Sequence, residues 1–361
     1  MKEGINTSKK IPLRGVSLFS SAGIGEIFLT EVGVDIVAAN EIIPERAELY
    51  SKIYNKTNMI TGDINDDIVF NKIVDSSGKI DIIIATPPCQ GMSVAGKNRT
   101  QQDMVSDQRN YLVFRIIELI KIKKPQYVLI ENVPNFLEIK LPYQGTAKKL
   151  VDILSDIFDT EYNIQTKILN TAEYGIPQKR IRAVVIMSKK GLKWNWPKRE
   201  QTISIESAIG HLPSLESGQI SNIPWHFSRK HSDNHILWMK HTPTGHSALE
   251  NEIFFPQKKD GQKVKGYITT YRRMKWDEPA PTITMRNDAI SSQMNVHPGR
   301  KLDNGEYSDA RALTPLELMI LSSIPESFKI PDGTPEILIR KCIGECVPPL
   351  LIKKILKGIS R

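Results

Sequence analysis

Lys79-Ile80-Asp81-Ile82-Ile83-Ile84-Ala85-Thr86-Pro87-Pro88-Cys89-Gln90 is the stretch on which the fold turns. Its isoleucine run reads as a strand buried on both faces, as in parallel sheets. Two prolines then stop the strand and stiffen the backbone, so the thiol of Cys89 is expected at a rigid, exposed strand end. A second run, Tyr127-Val128-Leu129-Ile130, closes on Glu131-Asn132-Val133-Pro134. Between the two, Asn110 to Lys123 carries apolar residues at Leu112, Ile116, Leu119 and Ile120, a helical period. Strand, helix and strand make a right-handed crossover with parallel strands. Cys89 and Glu131 are thereby expected at one carboxyl edge of the sheet, where open α/β folds bind ligands. A lone Pro-Pro-Cys is more often a turn over a buried thiol. The weight rests on the pairing of a nucleophile with an acid.

A chain of 361 residues suffices for one large domain and a smaller one. Three cysteines, Cys89, Cys342 and Cys346, are too few for a disulfide framework and point to a reducing compartment. Cys342 and Cys346 lack a third ligand nearby and read as packing residues, so no metal site is expected. Residues 1–10 are polar with no apolar signal-peptide core, and no apolar run reaches membrane-spanning length. A soluble, cytoplasmic protein without a membrane partner is the expectation. The net charge of +9 is uneven, since residues 189–280 hold 15 Lys and Arg against nine Asp and Glu. That surplus suits a polyanion, although a merely solvated face would produce it as readily.

Upstream, Gly15 to Phe19 reads as a strand, followed by the loop Ser20-Ser21-Ala22-Gly23-Ile24-Gly25 and a helix from Glu26 to Val32 capped by Gly33. A strand from Val34 ends at Asn40-Glu41, a helix spans Pro44 to Tyr54, and Met59 to Ile64 brings a third strand edge. Such alternation predicts an α/β fold with a doubly wound, Rossmann-like sheet. Ala183 to Met187 adds a further strand. Beyond it periodicity is lost, and all five tryptophans and six of the seven histidines fall between Trp194 and Trp276. A smaller irregular domain is expected over 191–329, with 1–190 and 330–361 forming the larger one. His231 and His235 have helical i,i+4 spacing, but with no cysteine beside them they read as packing or phosphate-facing residues rather than zinc ligands.

Each early strand offers something at its carboxyl end. Gly23 and Gly25 let the backbone approach a ligand, Glu41 suits ribose hydroxyls, and Asp63 suits an adenine amino group. An adenosine cofactor follows. The loop lacks the third glycine of the dinucleotide fingerprint, which suits a ligand without pyrophosphate such as S-adenosylmethionine.

In their order along the chain these motifs resemble the DNA cytosine-C5 methyltransferases. Leu18-Phe19-Ser20-Ser21-Ala22-Gly23 is similar to that family's cofactor loop, Pro87-Pro88-Cys89-Gln90 to its nucleophile loop and Glu131-Asn132-Val133 to its acid motif. Asp107 to Leu112 resembles the segment after the nucleophile, and Gln178-Lys179-Arg180-Ile181-Arg182 the Gln-x-Arg-x-Arg motif. Arg311-Ala312-Leu313-Thr314-Pro315-Leu316-Glu317 and Gly344-Glu345-Cys346-Val347-Pro348-Pro349 resemble the two late motifs. Ser21 stands where the family usually has glycine, and Glu345 where it has asparagine.

The resemblance implies a Rossmann-like S-adenosylmethionine-dependent methyltransferase sheet with a small target-recognition domain. It implies that Cys89 adds to C6 of a flipped cytosine, that Glu131 bonds N3 and the exocyclic amine, and that Arg182, with Arg180, holds O2 and orients Glu131. Cofactor binding falls to Phe19, Ser21, Ala22, Gly23, Glu41, Ile42, Asp63, Ile64, Pro88, Leu112 and Glu345. DNA contacts fall to Gln90, Ser93, Lys97, Arg99, Gln178, Arg272 and Arg273. The polar segment Gly91 to Gln108 is expected to close over DNA. Double-stranded DNA is the expected partner, with a cognate restriction endonuclease encoded nearby and the enzyme acting as a monomer.

Rival readings are a tRNA cytosine methyltransferase, a nicotinamide-dependent oxidoreductase and a catalytically silent DNA-binding relative. The Cys-Phe-Thr signature of the first is absent, the missing glycine argues against the second, and intact Cys89, Glu131 and Arg182 argue against the third.

Overall fold

The computed structural model describes residues 11–88, 108–258 and 260–360. Cys89, Gln90, Ser93, Lys97 and Arg99 lie outside the described residues. Contacts divide the chain into two units: Met1–Leu169 with Arg182–Trp196 and Ile352–Arg361, and Asn170–Ile181 with Pro197–Leu351.

The first unit is organised by a seven-stranded sheet. Its strands are β1 (Leu13–Leu18), β2 (Val34–Glu41), β3 (Asn58–Thr61), β4 (Ile82–Ala85), β5 (Tyr127–Asn132), β8 (Tyr162–Asn170) and β9 (Ile181–Lys189). They lie in the order β3-β2-β1-β4-β5-β9-β8. β6 (Lys140–Tyr143) and β7 (Thr146–Lys149) form a separate hairpin. β3, β2, β1, β4 and β5 pair in parallel, and β9 runs antiparallel to β5. The helices are α1 (Pro44–Ile53), α2 (Asp67–Ser77), α3 (Leu112–Lys123) and α4 (Leu150–Phe158).

Every residue of β4 and β5 is buried, because helices pack on both faces of a parallel sheet. Ile83, Val128 and Ile130 share one core with Ile116 and Ile120 of α3. Each such side chain contributes roughly 1.5–3 kcal/mol on full burial. The crossover from β4 through α3 to β5 is the unit read from the isoleucine run, with Ile84 opposite Leu129 and Ala85 opposite Ile130.

One element differs from its sequence reading. Glu26 to Val32 is not an α-helix but two short 3₁₀ turns, Ile24–Glu26 and Thr30–Val32. Gly23 and Gly33 both sit in the left-handed region, at φ 72° and 68°. The span between them is too short to extend a helix once Glu26 is drawn into the interior by Ser17 and Tyr50.

The second unit is mostly irregular. It carries α5 (Ile205–Ile209), α6 (Asp233–Lys240), α7 (Pro315–Leu321), α8 (Glu336–Glu345) and the first residues of α9 (Pro349–Leu356). Trp238, Met239, Ala248, Ile290, Val296 and Ala310 form a small core, against which Ile236, Phe254 and Tyr271 pack. Beside this apolar core, Arg311 is wholly buried and pairs with Asp309 (2.8 Å) and Glu317 (2.8 Å). His231 precedes α6 rather than lying on it, and its Nε2 accepts from the Ala312 amide at 3.2 Å. Its helical spacing with His235 is therefore not realised. Among the described residues no group of His, Cys, Asp and Glu is arranged to hold a metal, and no helix is long and apolar enough to cross a membrane.

Candidate active site

The register aligns the carboxyl ends of four strands. Leu18 of β1 stands opposite Asn40 of β2 and Ala85 of β4, and Ala85 opposite Ile130 of β5. Whatever follows these residues emerges at one edge.

After β1 the backbone turns sharply, with Phe19 (φ 59°), Ser21 (φ 48°) and Gly23 (φ 72°) all in the left-handed region. Left-handed geometry is costly for Phe19 and Ser21, so surrounding bonds must hold it. The Ser20 amide donates to the Asn40 carbonyl at 3.0 Å, and Thr86 Oγ1 to the Phe19 carbonyl at 3.1 Å. Glu41 is buried, and its carboxylate accepts from the amides of Ser21 (2.9 Å) and Ile43 (2.8 Å). Two of its lone pairs are so used, which leaves others for a ligand's hydroxyls. Ser21 Oγ is buried without a hydrogen-bond partner among the described residues. Asn40 reaches sideways to the carbonyls of Ile60 (2.9 Å) and Gly62 (3.1 Å), fixing the turn that carries Asp63.

Beneath this loop lies a group the sequence reading missed. Glu26 is buried and accepts from Ser17 Oγ (2.5 Å) and Tyr50 OH (2.6 Å), while Tyr54 OH donates to the Gly23 carbonyl at 2.8 Å. Burial pushes the Glu26 carboxyl up to about 7, against the two hydrogen bonds that favour its charged form. The available signal was the i,i+4 pair of Tyr50 on α1 and Tyr54, which caps its carboxyl end.

Glu131 is 5% exposed near the end of β5. Arg182 Nε approaches its Oε1 to 2.8 Å from the neighbouring strand β9. The next residue, Asn132, donates from Nδ2 to the Pro87 carbonyl at 3.0 Å, while its Oδ1 accepts from the Val133 amide at 2.8 Å. The Pro87-Pro88 turn leading to Cys89 is thus tied to the strand that carries Glu131. Asn132 was quoted in the motif but given no task there.

The remaining cofactor candidates separate by exposure. Ala22, Ile64 and Leu112 are buried, Phe19 and Pro88 half-buried, Asp63 exposed, and Ile42 57% exposed. Asp63 Oδ1 accepts from the Asn65 amide at 2.9 Å. Glu345, in the second unit, ends α8 and its carbonyl accepts from Arg180 at 2.9 Å.

Three candidates from the sequence have interior partners. Arg180 belongs to the second unit and stands just before β9. Its side chain is buried in the second unit and donates to the carbonyls of Ile283 (2.9 Å), Gly344 (3.2 Å) and Glu345 (2.9 Å). Gln178, expected at DNA, is 1% exposed and bonds Ser322 Oγ at 3.0 Å. Arg273, expected at phosphate or guanine, is also 1% exposed. It donates to the carbonyls of Met239 (3.0 Å), His297 (2.8 Å) and Asp309 (3.1 Å). Arginine's five fixed donors suit it to gathering loop carbonyls where few helices or strands do so. Arg272 remains partly exposed, its Nη1 3.4 Å from Glu250.

The family described as C-5 cytosine-specific DNA methylase matches residues 13–361. The chain is 55% identical to the type II methyltransferase M1.HgaI of Avibacterium volantium, over 96% of this chain and 98% of that protein. It is 29% identical to the type II methyltransferase M1.HphI of Haemophilus parahaemolyticus, covering 96% and 86% respectively. Among solved structures, the methyltransferase EhMeth of Entamoeba histolytica superposes with a TM-score of 0.61 at 16% identity, covering 96% of this chain and 97% of that one. That likeness carries the fold.

Proposed function

The chain belongs to the C-5 cytosine-specific DNA methylase family, and on that premise we propose that it methylates one cytosine in a short specific sequence of double-stranded DNA. The observation that carries this reading is the Glu131–Arg182 pair on the strand whose Asn132 holds the Pro87-Pro88 turn. Members of this family use S-adenosylmethionine, which supplies the electrophilic methyl group when bound.

The residues at the β1–β2 edge fit that cofactor. Glu41 retains acceptor capacity beyond its two amide bonds, and Ser21 Oγ is a buried group in want of a partner. Phe19, Ala22 and Gly23 complete the loop, with Ile42, Asp63, Ile64, Pro88, Leu112 and Glu345 as further binding residues. Cytosine C5 is a poor nucleophile, so Cys89 is assigned to add to C6 as the thiolate, making C5 enamine-like. Glu131, held by Arg182, bonds N3 and the exocyclic amine and shares a proton as C6 is attacked. Such help is worth about 10²–10⁴-fold in rate. Release of Cys89 follows loss of the C5 proton. The target must leave the helix to be reached, at a cost of a few kcal/mol. Gln90, Ser93, Lys97 and Arg99 are assigned to hold the DNA at that stage, and residues 191–329 to recognise the site.

In this reading the enzyme works as a cytoplasmic monomer and protects host DNA from a cognate restriction endonuclease. Bisulfite sequencing of plasmid from cells expressing the wild type or Cys89→Ser tests it. Cytosines protected in one short motif by the wild type alone are the expected result. Protection that survives Cys89→Ser removes the nucleophile, and a folded wild type that leaves DNA unmodified removes the DNA substrate.

A further inference from the structure

The second unit exposes apolar side chains on a turn that its own backbone holds rigid. Tyr267 is 71% exposed and Ile268 59%. The turn between Tyr267 and Thr270 is closed by the Thr270 amide and hydroxyl, which donate to the Tyr267 carbonyl at 2.8 and 2.7 Å. Its far side is fastened to the unit, since the Met294 amide donates to the Thr269 carbonyl at 2.8 Å and Ser247 Oγ to the Thr270 carbonyl at 2.7 Å. Arg272 Nη1 folds back on the Ile268 carbonyl at 3.4 Å. Tyr271, by contrast, packs against the core with Trp238. The chain here packs Tyr271, partly buried, against the core while presenting the adjacent Tyr267 and Ile268 to water, so apolar burial is forgone at two neighbouring positions of a fastened turn.

The charge beside the turn says what covers it. The preceding hairpin is closed by the Val264 amide on the Pro256 carbonyl at 2.8 Å and by the Lys258 amide on the Gln262 carbonyl at 2.8 Å. It carries Lys258 and Lys263 and leads into Lys265, all exposed. None of the three forms an ion pair with a carboxylate among the described residues, and Asp260 at the hairpin tip is occupied with the Gln262 amide at 3.1 Å. Lys263 instead donates to the Asn251 carbonyl at 3.1 Å and stands over the Phe255 ring. Exposed lysines without carboxylate partners, shortly before an exposed aromatic and an exposed aliphatic side chain along the chain, complement a nucleic acid, which offers phosphates outside and apolar base faces and methyl groups inside.

We propose that the Tyr267–Ile268 turn enters a groove of the DNA duplex and helps determine which sequence is methylated, while Lys258 and Lys265 contact flanking phosphates. This assignment rests on the DNA-methylating reading above. The two classes of contact separate experimentally, because apolar base contacts set discrimination and phosphate contacts set salt dependence.

The test compares the wild type with Tyr267→Ala/Ile268→Ala and with Lys258→Ala/Lys265→Ala. It reads KM and kcat on a duplex carrying the mapped site, methylation of duplexes changed by one base pair, and the salt dependence of DNA binding. S-adenosylmethionine affinity and melting temperature serve as controls. The apolar variant is expected to raise KM roughly 10-fold or more and to narrow the preference for the mapped site, with cofactor affinity unchanged. The lysine variant is expected to weaken binding uniformly and to lower the slope of log K against log salt by about 2. An apolar variant with wild-type KM and discrimination overturns the proposal while leaving the methylation reading intact. A lysine variant with an unchanged slope overturns the phosphate assignment. A wild type that binds cofactor yet methylates no DNA overturns the parent reading, and this one with it.

Discussion

Arg182 Nε lies 2.8 Å from Glu131 Oε1, and the two residues are diagonal neighbours on one face of the antiparallel β5–β9 ladder, in which Glu131 stands opposite Val184. Both side chains are largely out of water, at 12% and 6% exposure. A guanidinium so held orients the carboxylate as well as balancing its charge. Glu131→Gln is expected to lower kcat by about 10²–10⁴-fold. Arg182→Lys keeps the charge but not the planar fork, and is expected to lose roughly 10-fold or more. Single-turnover methyl transfer at saturating cofactor reads both. Near-wild-type rates in Glu131→Gln would remove the carboxylate from the chemistry.

Gly23 should tolerate no side chain. Its φ is +72°, and an added Cβ would lie 2.4 Å from the Tyr54 ring and 2.8 Å from that of Tyr50. Gly23→Ala is expected to destabilise the protein by roughly 1–3 kcal/mol and to weaken S-adenosylmethionine binding, since the same loop bonds Glu41. Calorimetric titration and thermal melting check it. Unaltered affinity and melting temperature would show that the tyrosines yield.

Glu26 makes stability depend on pH in a calculable direction. The folded protein keeps this proton up to about pH 7, whereas the ordinary carboxyl value is 4.5. Between those values the native state binds more protons than the unfolded chain, so this group's contribution falls as pH rises and is level above about 7. The change is on the order of 3 kcal/mol. Glu26→Gln can keep bonds to Ser17 and Tyr50 and is expected to gain on the wild type as pH rises from 5 to 8. A difference in melting temperature that stays constant over that range would contradict the assignment.

The buried group around Arg311 should be intolerant of its loss. Burial pushes the Glu317 carboxyl up, but the Arg311 guanidinium outweighs it and holds the group at about 2. Burial also drives His297, between Asp309 and Glu317, down to about 4. Arg311→Ala strands two carboxylates inside the second unit and is expected to cost about 3–5 kcal/mol. Scanning calorimetry at pH 7 measures it. A loss under about 1 kcal/mol would mean that water reaches the site.

The position of a site residue is legible in sequence where it follows from strand order and hidden where it depends on distant loops. Glu41 and Glu131 needed only a parallel sheet whose carboxyl ends align. Arg180, Gln178 and Arg273 carried the right chemistry for DNA, but polarity in a sequence does not reveal whether a side chain faces water or a carbonyl. Their partners lie up to 165 residues away along the chain, as in the bond from Arg180 to Glu345.

The sequence by itself determined the parallel crossover, the family motifs and their order, because period and punctuation are local properties of the chain. Only the tertiary structure decided that Arg182 meets Glu131, that Asn132 ties down the Pro87 turn, and that Glu26 lies beneath the Phe19–Gly23 loop. It also decided that Arg273 is interior while Tyr267 and Ile268 are exposed. Long-range packing makes those choices, since a buried donor must find an acceptor wherever the fold supplies one.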